Sequence, residues 1–146
     1  MPSQTPINQQ TQFHQLMCRS TCALKYHDYE AAFHALQACV FMAEADLQSQ
    51  PLQEANMEDY CTSVILLAAT ELKLQRKVAA CAQFADALHL LHQLYLQHRS
   101  LEQRAMIRRF EGILIRAQQT ACTLSRLSHS IGESHDEADI PSTLPH

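Results

Sequence analysis

Apolar residues recur three and four positions apart along most of this chain, the period of a helix with one buried face. The clearest stretch holds Tyr29, Ala32, Phe33, Leu36, Val40, Ala43 and Leu47. It predicts a helix to about Ser49, with Asp28 as its N-cap. Ahead of it, Phe13, Leu16, Met17, Ser20, Ala23 and Leu24 predict a helix from about Thr11 to Lys25. A linker over Gln48 to Met57 contains Pro51. After it, Cys61, Val64, Ile65, Ala68 and Leu72 mark a third helix, with Asn56 as its expected cap. Cys81, Phe84, Ala85, Leu88, Leu91 and Tyr95 mark a fourth, from Val78 to about Gln97. The break at Gln75–Lys77 holds neither glycine nor proline, so one continuous helix over 58–97 is the alternative. Ser100 and Gln103 have the spacing of a capping box. They open a fifth helix to about Ser128, with a seam of Met106, Phe110, Ile113, Ala117, Ala121, Leu124 and Leu127.

Composition supports this all-α reading. Of 146 residues only two are glycine, and four of the five prolines lie in the terminal segments. A sandwich or barrel needs turn residues far more often. The same shortage leaves no glycine-rich loop for a phosphate, and GxSxG, HExxH and CxxC are absent. No catalytic activity and no cofactor are therefore expected.

The chain reads as one helical domain over 12–129, between flexible tails at 1–11 and 130–146. The polar start lacks the basic and apolar regions of a secretory signal. The longest apolar run, Val64 to Ala69, is too short for a bilayer. A cytoplasmic protein follows as the expectation. Its six cysteines (Cys18, Cys22, Cys39, Cys61, Cys81 and Cys122) are read as buried, reduced thiols, since each sits inside a helical apolar pattern.

The first two hairpins superimpose at an offset of 48 residues. Ser20 falls on Ala68, Leu24-Lys25 on Leu72-Lys73, Ala31-Ala32 on Ala79-Ala80, Leu36 on Phe84 and Cys39 on Ala87. Small residues recur where helices would cross closely, and a large apolar one follows four positions later. Over residues 13–97 this pattern resembles the tetratricopeptide repeat. Ala32, Leu36 and Cys39 stand in the small, bulky and small positions of that repeat's second helix; Ala80, Phe84 and Ala87 do so again. The family's period is about 34 residues. Here the period is longer, the closing proline is missing, and His27 replaces the usual turn glycine. An antiparallel helical bundle is the alternative. The resemblance implies two stacked hairpins with the fifth helix as a cap. It also implies a shallow concave surface, lined by the first helix of each pair, that binds peptides or partner helices.

Charge is polarised. Between Arg99 and Arg126 lie six of the eleven basic residues and two of the fifteen acids, against a net charge of −4 for the whole chain. Arg104, Arg108 and Arg109 share a face of the fifth helix, with Arg116 two turns on. Arginine suits carboxylate or phosphate, so this patch is a candidate surface for a partner protein. Tyr26 and Tyr60 are candidate contributors to a groove. Nucleic acid is not expected, given the negative balance, the absence of Trp and no basic–aromatic interleaving.

Metal ligation has two candidate stripes. His14, Cys18 and Cys22 follow one face of the first helix, but ligands eight apart are about 12 Å apart and cannot share an ion. His89 and His92 lie three apart on the fourth helix, with Asp86 three before His89. The plainer readings are a partly buried helix face of small, soft residues for the first stripe and a polar helix flank for the second, and no metal is expected. The functional expectation is a non-catalytic interaction module, an adaptor or chaperone-like protein that binds a peptide or helix of a partner. A structural homodimer joined along the fifth helix, and a metal- or small-ligand-binding helical protein, are the alternatives.

Overall fold

The computed structural model describes residues 4–49 and 51–139, with side chains over 10–49 and 51–127. It consists of five helices: α1 (Gln4–Lys25), α2 (Tyr29–Ser49), α3 (Glu54–Lys73), α4 (Lys77–Gln97) and α5 (Leu101–Asp139). The protein is all-α, and residues 58–97 form two helices rather than one. No described helix is long and apolar enough to cross a membrane.

Both hairpin turns have the same construction. Asp28 N–H donates to the Ala23 carbonyl at 2.8 Å and His27 N–H to the Leu24 carbonyl at 3.1 Å. Forty-eight residues on, Arg76 N–H donates to Glu71 at 2.8 Å and Gln75 N–H to Leu72 at 3.1 Å. These are Schellman closures, which require a left-handed residue after the helix. His27 (φ 59°) and Gln75 (φ 63°) supply it without glycine. Asp28 caps α2 as expected, its carboxylate accepting from Ala31 N–H at 3.2 Å. Arg76 reaches from the second turn to Glu30 at 2.7 Å and lies 4.7 Å over Phe33, joining the two turns.

Helix α1 lies on α2, α2 on α3, α3 on α4, and α5 packs against both α4 and α3. The core runs through all five. Phe13, Leu47, Met57, Val64, Leu91, Leu94, Ile107, Phe110 and Leu114 belong to one buried cluster. Ala32 and Leu36 meet Leu67 where the hairpins join, and Ala68, Ala80 and Phe84 repeat that arrangement under Ala117 and Ala121 of α5. Each large side chain buried there contributes about 1.5–3 kcal/mol. Buried hydroxyls are satisfied within their own helices: Ser20, Ser63 and Thr70 donate to carbonyls three or four residues back at 2.7–2.8 Å.

Several expectations need correction. Asn56 lies inside α3, which begins at Glu54 after an extended Gln53 that makes no side-chain cap. Leu52, two residues ahead of the helix and 7% exposed, belongs to the core cluster and fixes the chain just before α3 begins. The capping box at α5 is made in one direction, with Gln103 N–H 3.5 Å from Ser100 Oγ. Helix also enters both segments read as tails. Pro6 sits in the first turn of α1, where a missing N–H costs nothing, and Gly132 alone costs α5 only about 1 kcal/mol.

The expected seam of α5 packs from Met106 to Ala121, but it is wider and ends sooner than expected. Ile107 and Leu114 are fully buried, whereas Leu124 and Leu127 are more than half exposed. At 1.5 Å per residue α5 is about 58 Å long against about 31 Å for α4. Lys77, which opens α4, lies against the Gln118–Ser125 stretch, so α5 runs on past the end of its neighbour.

Only Cys39 and Cys61 are buried. Cys18, Cys22 and Cys81 are exposed and Cys122 is half-buried, so the expectation of six buried thiols fails for four. Each of the four sits beside, not on, the buried stripe of its helix.

Candidate functional site

A cleft of about 300 Å³ is bounded by α2, α3 and α4. Each helix contributes one stripe. Val40, Glu44 and Gln48, four residues apart, form the α2 wall; Gln83, Asp86, His89, Leu90 and Gln93 form the α4 wall; Tyr60 and Val64 form the floor. Helical periodicity alone brings these residues into line, because positions three, four and seven apart share a face. The cleft is thus framed by the second helices of the two hairpins over the first helix of the second. The surface implied by the repeat resemblance, lined by first helices, is not the one that opens here. Close packing of α2 on α3 and of α3 on α4, without a close approach of α2 to α4, leaves the gap.

Chemically the cleft is apolar at its base and amide- and acid-rich at its rim. Tyr60 is 3% exposed, yet its hydroxyl has no hydrogen-bond partner within the chain. Burial pushes its phenol well above the usual tyrosine range, and the charges of Glu44 and then Asp86 push in the same direction. One turn earlier on the same face of α3, the amide nitrogen of Asn56 is buried without a partner. No Lys or Arg lines the cleft.

The candidate arginines are mostly engaged inside the chain. Arg104 Nε donates to the His98 carbonyl at 2.6 Å, and its guanidinium stands 4.6 Å from the Tyr95 ring. Arg108 stacks on the same ring at 3.8 Å and pairs with Glu111 at 3.1 Å. Arg109 pairs with Glu54 at the start of α3 and lies over Phe110. Arg116 is exposed and pairs with no acid among the described residues. Tyr26 is 72% exposed beside Lys25, far in sequence and fold from the arginines. The structure therefore separates the six candidate residues into a helix-joining cluster of Arg104, Arg108 and Arg109, an exposed Arg116, a lone surface tyrosine and Tyr60 in the cleft.

The metal candidates do not converge. His89 lines the cleft while His92 lies on the exposed flank, and the described residues contain no group of three His, Cys, Asp or Glu side chains placed to hold an ion. Burial pushes the Cys39 thiol up to about 11, with Asp59 adding to the shift, and that of Cys61 up to about 12. Both stay protonated at neutral pH, which suits packing rather than ligation or nucleophilic attack.

Reading the sequence picked out Tyr60, His89 and, beside it, Asp86, but missed Glu44, Gln48, Gln83 and Gln93. Their signal was present as a polar stripe, Gln83–Asp86–Gln93, beside the buried stripe of α4. It resembles any solvated flank until α2 is placed opposite it.

What the fold and cleft define is an all-α protein of two equivalent helical hairpins closed by a long fifth helix. The chain matches no protein-family model, no curated protein and no solved structure.

Proposed function

We propose that this protein is a non-catalytic interaction module that binds a segment of a partner protein in the α2–α3–α4 cleft. The observation that carries the reading is the cleft itself. It combines an apolar floor with a rim of glutamine amides and carboxylates, and it falls within the ~300–1,000 Å³ range of ligand sites. Glutamine side chains both donate and accept, as a peptide backbone requires of its surroundings. The walls come from rigid helices locked into the common core, so little order has to be created on binding.

Selection of binders from a random-peptide display library against the full chain, followed by backbone amide shift mapping, tests this. The expected result is a set of binders that shift resonances at Val40–Gln48, Tyr60–Val64 and Gln83–Gln93. Binders that shift only α1 or the arginine cluster of α5, or no binders at all, would overturn it.

A further inference from the structure

Glu44 and Asp86 face the same cleft from opposite walls, and neither has a cationic partner. The three ion pairs among the described residues are Arg76–Glu30, Arg108–Glu111 and Arg109–Glu54. Two carboxylates left uncompensated beside a low-dielectric floor concentrate negative potential there. Tyr60 lies on the floor between the two walls, and the charge of each carboxylate raises the proton affinity of its phenol. Tyr60 is the second, independent observation: its side chain is 3% exposed, lines the floor, and makes no hydrogen bond among the described residues, so its hydroxyl opens on the cleft.

We propose that the cleft receives an arginine side chain of the partner segment, its guanidinium set between Glu44 and Asp86 with Tyr60 Oη as a third acceptor. This rests on the peptide-binding reading above and specifies the residue it selects. Val40, Val64 and Leu90 offer an apolar lining to the aliphatic stem, which arginine buries while its head stays polar. Acceptors on two walls and the floor suit a planar head with five donors better than the compact ammonium of lysine. Gln48 and Gln93, at the rim, remain to hold the flanking peptide backbone.

Two synthetic pentapeptides test the inference: acetyl-Gly-Gly-Arg-Gly-Gly-amide, and the same peptide with citrulline, which keeps the shape and loses the charge. Amide and Tyr60 ring shifts are followed during titration of the full chain. The arginine peptide is expected to shift Tyr60, Val64 and Asp86 and to bind about tenfold tighter than the citrulline peptide at low salt, with the difference shrinking as salt rises. The double variant Glu44→Gln/Asp86→Asn, whose melting is measured in parallel, should lose that preference. Equal binding of both peptides in the cleft would overturn the arginine assignment and leave the peptide-binding reading standing. So would silence from both pentapeptides where library-selected peptides do shift the cleft. Arginine-dependent shifts confined to another surface would overturn it as well. The citrulline and salt comparisons need no variant, so the inference stays open to refutation even if the double variant misfolds.

Discussion

His27 and Gln75 stand 48 residues apart and hold the same left-handed backbone, with φ of 59° and 63°. Around each, the same two backbone bonds close the preceding helix at the same lengths. Side chains with a Cβ avoid this conformation at a cost of about 1–2 kcal/mol, and both hairpins accept that cost at the equivalent point. The internal repeat is thus a repeat of backbone geometry as well as of small and large residues.

Gln75 is exposed and its side chain is free of hydrogen bonds, so it isolates the conformational term. Gln75→Gly should raise stability by about 0.5–1 kcal/mol, since relief of the left-handed strain exceeds the entropy glycine adds to the unfolded chain. Gln75→Val should lower it by about 1–2 kcal/mol, because a β-branched residue tolerates positive φ least. Urea unfolding of the two variants beside wild type checks both signs. Equal stabilities would mean that the turn is not held in this form.

Arg104 joins α4 to α5. It spans the turn by its bond to the His98 carbonyl and stacks on Tyr95. Arg104→Ala should cost about 1–3 kcal/mol, from a charge-assisted hydrogen bond and a cation–π contact. Arg116→Ala, at an exposed and unpaired site, should stay within about 0.5 kcal/mol. Thermal melts of the two variants provide the comparison. It shows whether the basic region joins helices or serves as free surface.

Helix period and turn position were readable in this sequence because they follow from local chemistry. Asp28 caps α2 through the Ala31 N–H without reference to anything distant. The start of α3 was not readable, because Leu52 fixes the chain just before it by packing against residues far away in sequence. The buried line of α5 depends on its rotation against two helices at once. Ile107 and Leu114 are as apolar as the seam residues beside them, and only the placement of α3 and α4 makes them the most deeply buried of the helix. The cleft was the least readable part, since Glu44 and Asp86 meet only when α2 and α4 are placed across α3. Tyr60 stood out as a tyrosine, but nothing local says that its hydroxyl lacks a partner.

Glu71 predicts a pH dependence. Its side chain is 2% exposed, with one carboxyl oxygen unpartnered. Burial raises it above the ordinary 4.5, against the opposing effects of a Gln83 hydrogen bond and the Arg76 charge. The folded protein therefore binds this proton more tightly than the unfolded chain. The stabilisation is complete below about pH 4.5 and is lost as pH rises through the folded value. Glu71→Gln should accordingly raise the melting temperature at pH 7 by about 2–4 °C, equivalent to about 1 kcal/mol. The gain should be smaller at pH 4. Calorimetry at the two pH values measures it, and a variant less stable at pH 7 would show that the charged form is the one the fold favours.

Phe110 decides what the long helix is for. It is 5% exposed and belongs to the cluster shared by all five helices, while Leu124, two heptads further along the same expected seam, is 59% exposed. A helix joined only to a second copy of the chain would place both residues in one interface. Here the first lies inside the chain's own core and the second does not. Phe110→Asp puts an unpaired charge where an aromatic ring was packed, at a cost of at least about 3–5 kcal/mol, a large part of the stability of a domain this size. It should therefore unfold the protein, seen as loss of far-ultraviolet helical signal. Leu124→Glu on an open helix face should leave stability within about 0.5 kcal/mol. A Phe110→Asp protein that stays helical and merely falls in mass on light scattering would reverse the assignment and make this face of α5 an interface between chains.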